Sequence, residues 1–239
     1  MTAEFLTAGD TALVMQFGNE ISEALNGRVK EVKDALQARP IDGITEVVPT
    51  FRSLLIYYKP EVISFDRLVE RLGGISAVGG AVSKKSKKIV HIPVAYGGVY
   101  GEDIDGVSEH TGLSIADIIS IHSATEYLVY MLGFLPGFPY LGGMDKRLNA
   151  PRLKNPRTKI PEGSVGIGGE QTGIYPLASP GGWRLIGRTP VKPYDPSRTQ
   201  PFLYDAGDYI KFFPIDFDEY EKIKRAVDDG SYSCRTEVR

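Results

Sequence analysis

His122 is one of only three histidines in this 239-residue chain, and its spacing sets it apart. It follows Ile115 by seven residues, Ile118 by four and Ile119 by three, so on a helix it shares their apolar face and points inward. Two readings stand. One is a core histidine with satisfied hydrogen bonds. The other is a titratable group in a desolvated cleft, able to act as a general acid or base near neutral pH. His110, beside Gly112, reads as a residue closing a helix C-terminus, and His91, between Val90 and Ile92, as strand surface or edge. No His-x-x-x-His or carboxylate-bridged pair occurs, so no metal site is expected.

The stretch "GIGGEQTGIYPLASPGGWRLIGRTP" (166–190) holds seven glycines in 25 residues. It is not a nucleotide loop. Gln171 stands where G-x-G-x-x-G needs glycine, no helix signal follows, and no G-K-[ST] occurs in the chain. The stretch is either a set of tight β-turns or the rim of an open pocket. In a pocket, Gln171, Thr172 and the backbone amides of Ser179–Trp183, Gly181 and Gly182 included, supply polar groups, and Trp183 makes a wall. Upstream, "RLNAPRLKNPRTKIPEG" (147–163) sets Arg152 and Arg157 each directly after a proline, which holds the backbone extended. It is a solvated loop, or a clamp in which planar guanidinium forks hold a carboxylate or phosphate. "GFLPGFPYLGG" (133–143) places Phe134, Phe138 and Tyr140 among four glycines and two prolines, Pro136 among them. Such a stretch is a hairpin tucked into the core or a rigid aromatic cleft edge.

The elements that must position these groups change character along the chain. Up to about residue 80, strands alternate with helices. "TALVMQF" (11–17) is a strand, and Asn19 can cap a helix whose stripe is Ile21, Leu25, Val29, Val32 and Leu36, ended by Pro40. "ITEVVPT" and "SLLIYYK" are strands, "SFDRLVERLGG" is a helix from Ser64 to about Gly73, and "AVGGAV" adds a last strand. The order βαββαβ predicts a ferredoxin-like α/β sandwich over 1–82. "SKKSKK" (83–88) is a lysine-rich solvated linker, and 89–239 is a second domain. There "KIVHIPVAY" is a strand, and two short helices follow, the second with Ser114 and Asp117 spaced as an N-terminal cap. From residue 125, glycines and prolines punctuate strands as a barrel or sandwich requires, and "DEYEKIKRAVDDG" is a helix with Tyr220, Ile223 and Val227 on one face.

Bulk composition narrows the classes. A formal net charge of −2 argues against nucleic acid or an anionic membrane as partner, and no apolar run is long enough to span a bilayer. A single cysteine, Cys234, allows no intrachain disulfide and no cysteine-based zinc site. The first ten residues lack a signal-peptide pattern, so a cytoplasmic location is the expectation.

Taken together, "GDTALVMQFG", "IPVAYGG", "GFLPGFPYLGGMD", "PRLKNPRTKIPEGSVGIGGEQTGIYPLASPGGWRLIGRTP" and "LYDAGDYIKFFPI" resemble the B subunits of 5-oxoprolinase. That family is also known as allophanate hydrolase subunit 1, or the Kip-type inhibitor of a sporulation histidine kinase. The likeness covers nearly the whole chain. It is most specific from Gly133 to Pro190 and loose in the N-terminal domain and beyond about Ile215. It implies an α+β protein whose second domain is a cyclophilin-like β-barrel. It also implies an ATP-dependent enzyme that opens 5-oxoproline to glutamate, working with a homologous C subunit and a lactam-utilisation A subunit. The site would be shared between subunits, with ATP as the cofactor and the chain inactive alone. Two other roles come with the resemblance: a binding protein that inhibits a histidine kinase, and a carboxyltransferase-like half-site of a biotin-dependent urea carboxylase.

Within the lactamase reading, residue chemistry casts Arg157 and Arg188 as anion-holding groups. Gln171 and the Gly181–Gly182–Trp183 amides supply oxyanion donors, His122 is the base and Asp103 a carboxylate partner. Thr172 joins the substrate- or nucleotide-binding set. Phe134, Pro136, Phe138 and Tyr140 form the cleft edge or partner seam.

Overall fold

The structure, a computed structural model, describes residues 3–78 and 87–239. The chain divides into two compact units, Met1–Lys85 and Ser86–Arg239. In the first, β1 (Glu4–Thr7), β2 (Ala12–Gln16), α1 (Glu23–Ala38), β3 (Ile44–Pro49), β4 (Ser53–Tyr58) and α2 (Phe65–Val78) follow in order. Their sheet runs β1-β2-β4-β3 and is antiparallel throughout. The order is therefore ββαββα among the described residues, and not βαββαβ. The additional strand, "EFLT", is short and mostly exposed, so it carries no apolar alternation to announce it.

Ser22, and not Asn19, caps α1: its Oγ accepts from the Leu25 N–H at 3.3 Å. Asn19 Oδ1 instead accepts from Gln16 Nε2 at 3.0 Å. Ile21 thus precedes the helix and is exposed, while Leu25, Val29, Val32 and Leu36 pack on Leu13, Met15, Leu54 and Ile56 of the sheet. The second helix runs on past Gly73 and Gly74, where nothing lies within 4 Å of a notional Cβ. Glycine in that open position weakens a helix by only ~1 kcal/mol, and buried Leu68 and Leu72 anchor it. Of the expected strand at 77–82, Ala77 and Val78 belong to α2 and the rest lies outside the described residues. So do residues 83–86 of the expected linker. Its last two lysines belong to the second unit, Lys87 pairing with Glu126 at 2.6 Å and Lys88 with Asp208 at 2.8 Å.

The second unit begins with β5 (Lys88–Tyr96), α3 (Ile104–Thr111), α4 (Ile115–Ala124), β6 (Glu126–Leu132) and β7 (Pro139–Gly142). There follow β8 (Arg157–Ile160), β9 (Ser164–Gly168), β10 (Gln171–Ile174), β11 (Ser179–Gly181), β12 (Arg184–Arg188), β13 (Tyr209–Ile215), α5 (Phe217–Asp228) and β14 (Thr236–Val238). The main sheet runs β10-β9-β12-β5-β13-β6-β7, with β14 also on β5. It curls until its end strands meet: a Cβ on Gly173 in β10 would stand 3.1 Å from the Pro139 carbonyl oxygen in β7. The result is a nearly closed, barrel-like sheet with few helices, filled by Val90, Ile92, Val94, Ile167, Ile186 and Phe212 among others.

The fifth strand is largely apolar because it is buried within the sheet, pairing in parallel with β13. His91 therefore sits inside the sheet and not at an edge. Its N–H donates to the Arg235 carbonyl at 3.0 Å, and its Nε2 faces Glu237 at 3.0 Å. The proline-rich stretch is less irregular than expected, since its Arg157–Ile160 portion forms β8 on β11. Ser114 caps α4 as expected, accepting from the Asp117 N–H at 3.1 Å.

Candidate functional site

Helix α4 carries His122 in its last turn with its ring among Tyr96, Tyr127 and Phe212, and none of its surface reaches solvent. The ring stacks on Phe212 at 4.6 Å. Tyr96 Oη lies 2.7 Å from Nδ1, and Thr172 Oγ1 lies 2.8 Å from Nε2. Thr172 Oγ1 also donates to the Gly166 carbonyl at 3.1 Å. With its single proton so committed, Thr172 accepts from Nε2–H, and Tyr96 must donate to Nδ1. The network itself assigns this tautomer. Tyr127 Oη completes the shell by donating to the His122 carbonyl at 2.9 Å.

Every member of this chain of hydrogen bonds is neutral and satisfied. Burial pushes the His122 pKa down to about 3 and holds the Tyr96 phenol well above its ordinary value. The geometry takes the first of the two readings of His122: it ties α4 to β5 and β10 and meets no open cleft. A general base must reach the proton it abstracts within hydrogen-bonding distance, and both ring nitrogens are already occupied. Thr172 is equally enclosed, so it lines no open pocket. Gln171, the preceding residue on β10, is half-buried and pairs across the hairpin with Gly168.

A second group forms where β8 meets the start of α3. Arg157 Nη2 donates to Asp103 Oδ1 at 2.8 Å, and its Nε lies 3.2 Å from Glu102 Oε1. Asp103 Oδ2 accepts from the Leu185 N–H at 2.6 Å, which ties this carboxylate to β12. The Asp103 contact raises the Arg157 pKa, so the guanidinium keeps its charge. Arg157 and Asp103, far apart in sequence, are thus brought together. Glu102 gave no separate signal, being one of several acids in a helix-opening run. Arg188 lies elsewhere on β12, its guanidinium 5.6 Å from the Tyr100 ring centre.

Trp183, Phe138, Tyr175, Ile160 and Leu185 form a small core of their own. Phe138 is its hub, in edge contact with Phe134, Tyr140, Tyr175 and Trp183 at 5.3–5.7 Å. At 3 % exposure Phe138 is tucked into the core and is not part of an exposed cleft edge or seam, and Trp183 is likewise buried. Tyr140 is half-buried, whereas Pro136 and Phe134 face solvent, Phe134 at 65 %. The cause is the turn. The Leu135 N–H bonds the Gly133 carbonyl at 2.7 Å around Phe134, whose φ is +65°. That is a γ-turn of the strained hand, and Phe134 is the one non-glycine residue at positive φ among those described. Phe134 is pushed outward while Phe138 turns in. Gly181 and Gly182 serve backbone pairing here: Gly181 is opposite Arg157, and the Gly182 carbonyl accepts from the Leu153 N–H at 2.7 Å.

A separate cleft of about 730 Å³ between the 191–203 loop and the segment after α5 includes Lys192, Arg198, Asp228 and Cys234 in its walls, and none of the site residues singled out from sequence. Burial lifts the Cys234 thiol to about 12, so it is not a nucleophile near neutral pH.

Comparison with known proteins places this architecture. Residues 3–204 match the family model described as the carboxyltransferase domain, subdomain C and D. The chain is 42% identical over 226 residues to the 5-oxoprolinase B subunit of Bacillus subtilis (strain 168), covering 90% of this chain and 94% of that one. It is 40% identical over 207 residues to the 5-oxoprolinase B subunit of Escherichia coli O157:H7, covering 86% and 93%. The crystal structure of the Kluyveromyces lactis urea carboxylase superposes with a TM-score of 0.81 at 23% identity, over 99% of this chain and 24% of that one, a likeness of fold. With a family model over most of its length and relatives matched nearly end to end, the chain belongs to the carboxyltransferase subdomain C and D family, among the 5-oxoprolinase B subunits.

Proposed function

We propose that this chain is the B subunit of an ATP-dependent 5-oxoprolinase and supplies one side of a site completed by partner subunits. The observation that carries the reading is the end-to-end likeness to two proteins that bear that name. Opening the lactam to glutamate consumes one water, and splitting ATP to ADP and phosphate consumes another. Such a reaction needs anion-holding groups, donors for a developing oxyanion and a base. This chain offers the first in Arg157 and a polar edge in Gln171. With His122 locked in its network, the base falls to a partner, and His122 acts by positioning β10 beneath Gln171. The homologous C subunit and a lactam-utilisation A subunit are the partners proposed, and ATP binds where they meet this chain. Phe134 and Pro136, exposed on a rigid turn, are the seam.

The same proposal extends to architecture: a ferredoxin-like first unit in which β1 takes the place of a last strand, and a cyclophilin-like barrel as the second. The likeness of fold to a urea carboxylase supports a second reading, a carboxyltransferase-like half-site that receives carboxybiotin from another protein. The two are separated by mixing the three purified proteins with ATP and 5-oxoproline and following glutamate. Glutamate that forms only when this chain is present supports the lactamase. Equal glutamate without it refutes the assignment.

A further inference from the structure

Arg157 uses few of its hydrogen-bond donors. A guanidinium carries five N–H groups. Here one Nη2 hydrogen is bonded to Asp103, while Nη1 is enclosed and has no hydrogen-bond partner. Nη1 is closed off, so the edge of the guanidinium open to exchange is the one at Nε. The two carboxylates beside it are not equivalent. Asp103 has a side chain 12% exposed and is also held by the Leu185 N–H, which makes it a fixed counter-charge. Glu102 is 57% exposed and meets only the Nε edge, as an ion pair at 3.2 Å. An exposed pair of that kind contributes about 0–1 kcal/mol, so another oxyanion can replace it at little cost.

The surroundings favour such a replacement. Asp103 and Arg157 cancel in charge, and Arg152 brings a second guanidinium, 6.0 Å from the Trp183 ring centre. The Tyr175 ring lies 6.2 Å from that of Trp183, on the same small core. Gly181, opposite Arg157 in the β8–β11 pair, keeps the phenol there: a Cβ at that position would stand 2.6 Å from the Tyr175 hydroxyl.

We propose that Arg157 binds a ligand oxyanion whose entry displaces Glu102, an exchangeable placeholder on the Nε edge, with Arg152 adding charge at the mouth. The shared chemistry is a carboxylate or phosphate oxygen facing a guanidinium fork. Only the choice of 5-oxoproline and phosphate as ligands rests on the proposed lactamase reading.

The test titrates the full-length chain with 5-oxoproline, with its uncharged carboxamide, and with inorganic phosphate, each followed by calorimetry or by the Tyr and Trp fluorescence. Glu102→Gln removes the competitor and should tighten oxyanion binding about two- to fivefold, the equivalent of an exposed ion pair. Arg157→Lys should weaken it about 10- to 100-fold by losing the fork. Arg152→Gln, on an exposed side chain, should weaken it without threatening the fold. Tightening for 5-oxoproline but not its carboxamide assigns the carboxylate. Tightening for phosphate alone assigns a phosphoryl group. Unchanged or weaker binding of both in Glu102→Gln, or no saturable binding of either by parent and variant, overturns the proposal. Its failure and that of the lactamase reading are separable, since glutamate formation by the assembled enzyme is measured independently.

Discussion

The buried imidazole makes stability depend on pH in a window set by one residue. His122 is held neutral in the folded chain with its pKa near 3, whereas the unfolded chain carries an ordinary histidine near 6.5. Between those values the unfolded state binds the extra proton, so stability rises with pH and is complete above about 6.5. Each pH unit below that costs about 1.4 kcal/mol, so moving from pH 6.5 to 5 should remove about 2 kcal/mol. Urea unfolding at several pH values, read as ΔG from midpoint and slope, measures it. The control is His122→Gln, which leaves part of the Tyr96–Thr172 network unbonded and should itself lose about 1–3 kcal/mol at pH 7.5. Acidic side chains titrate equally in both proteins, so the difference between their pH profiles isolates the imidazole. The variant's profile should be flatter by about 2 kcal/mol over that interval. Parallel profiles, or an NMR titration placing the His122 pKa near 6.5, would refute the buried neutral network.

A locked imidazole also bears on activity. Per folded molecule in the assembled enzyme, His122→Gln should change turnover less than about tenfold, against the ~10²–10⁴-fold typical of a lost general base. Phe134→Gly should raise the unfolding free energy by about 1 kcal/mol by relieving the positive φ, while weakening association with the partner subunits. A variant with full partner affinity would remove Phe134 from the seam, and a destabilised one would contradict the strain assigned to its positive φ. Asp103→Asn should destabilise by about 1–3 kcal/mol, because it leaves the half-buried Arg157 charge without its fixed partner. Thermal unfolding reads this directly, and an unshifted midpoint would contradict the role given to that pair.

The sequence was most legible where one residue type does one job. The spacing of Leu25, Val29, Val32 and Leu36 marks a single buried face, and the Ser114–Asp117 pair marks a helix start. The inward direction of His122 was legible for the same reason. Its role was not, because the deciding partners, Tyr96 and Thr172, lie 26 and 50 residues away. A tyrosine closing the largely apolar run of β5 was the available signal, since a phenol in such company needs a hydrogen-bond partner. Asn19 and Ser22 are both competent caps, and only the bond to Leu25 decides between them. Phe134 and Phe138 look alike in "GFLPGFPYLGG". A single backbone angle, invisible in composition, sends one to solvent and the other to the core. Glu102 and Asp103 are neighbours whose difference lies in one amide, that of Leu185 on a strand far along the chain.

The most direct test of a shared site is phosphate release and glutamate formation, measured together, from ATP and 5-oxoproline. With His122 enclosed and Arg157 the proposed anion-holding group, the isolated chain should yield neither product. Adding the A and C subunits should yield both in equal amounts, and Arg157→Lys should lower both together. Robust ATP-dependent glutamate formation by the isolated chain would contradict the account.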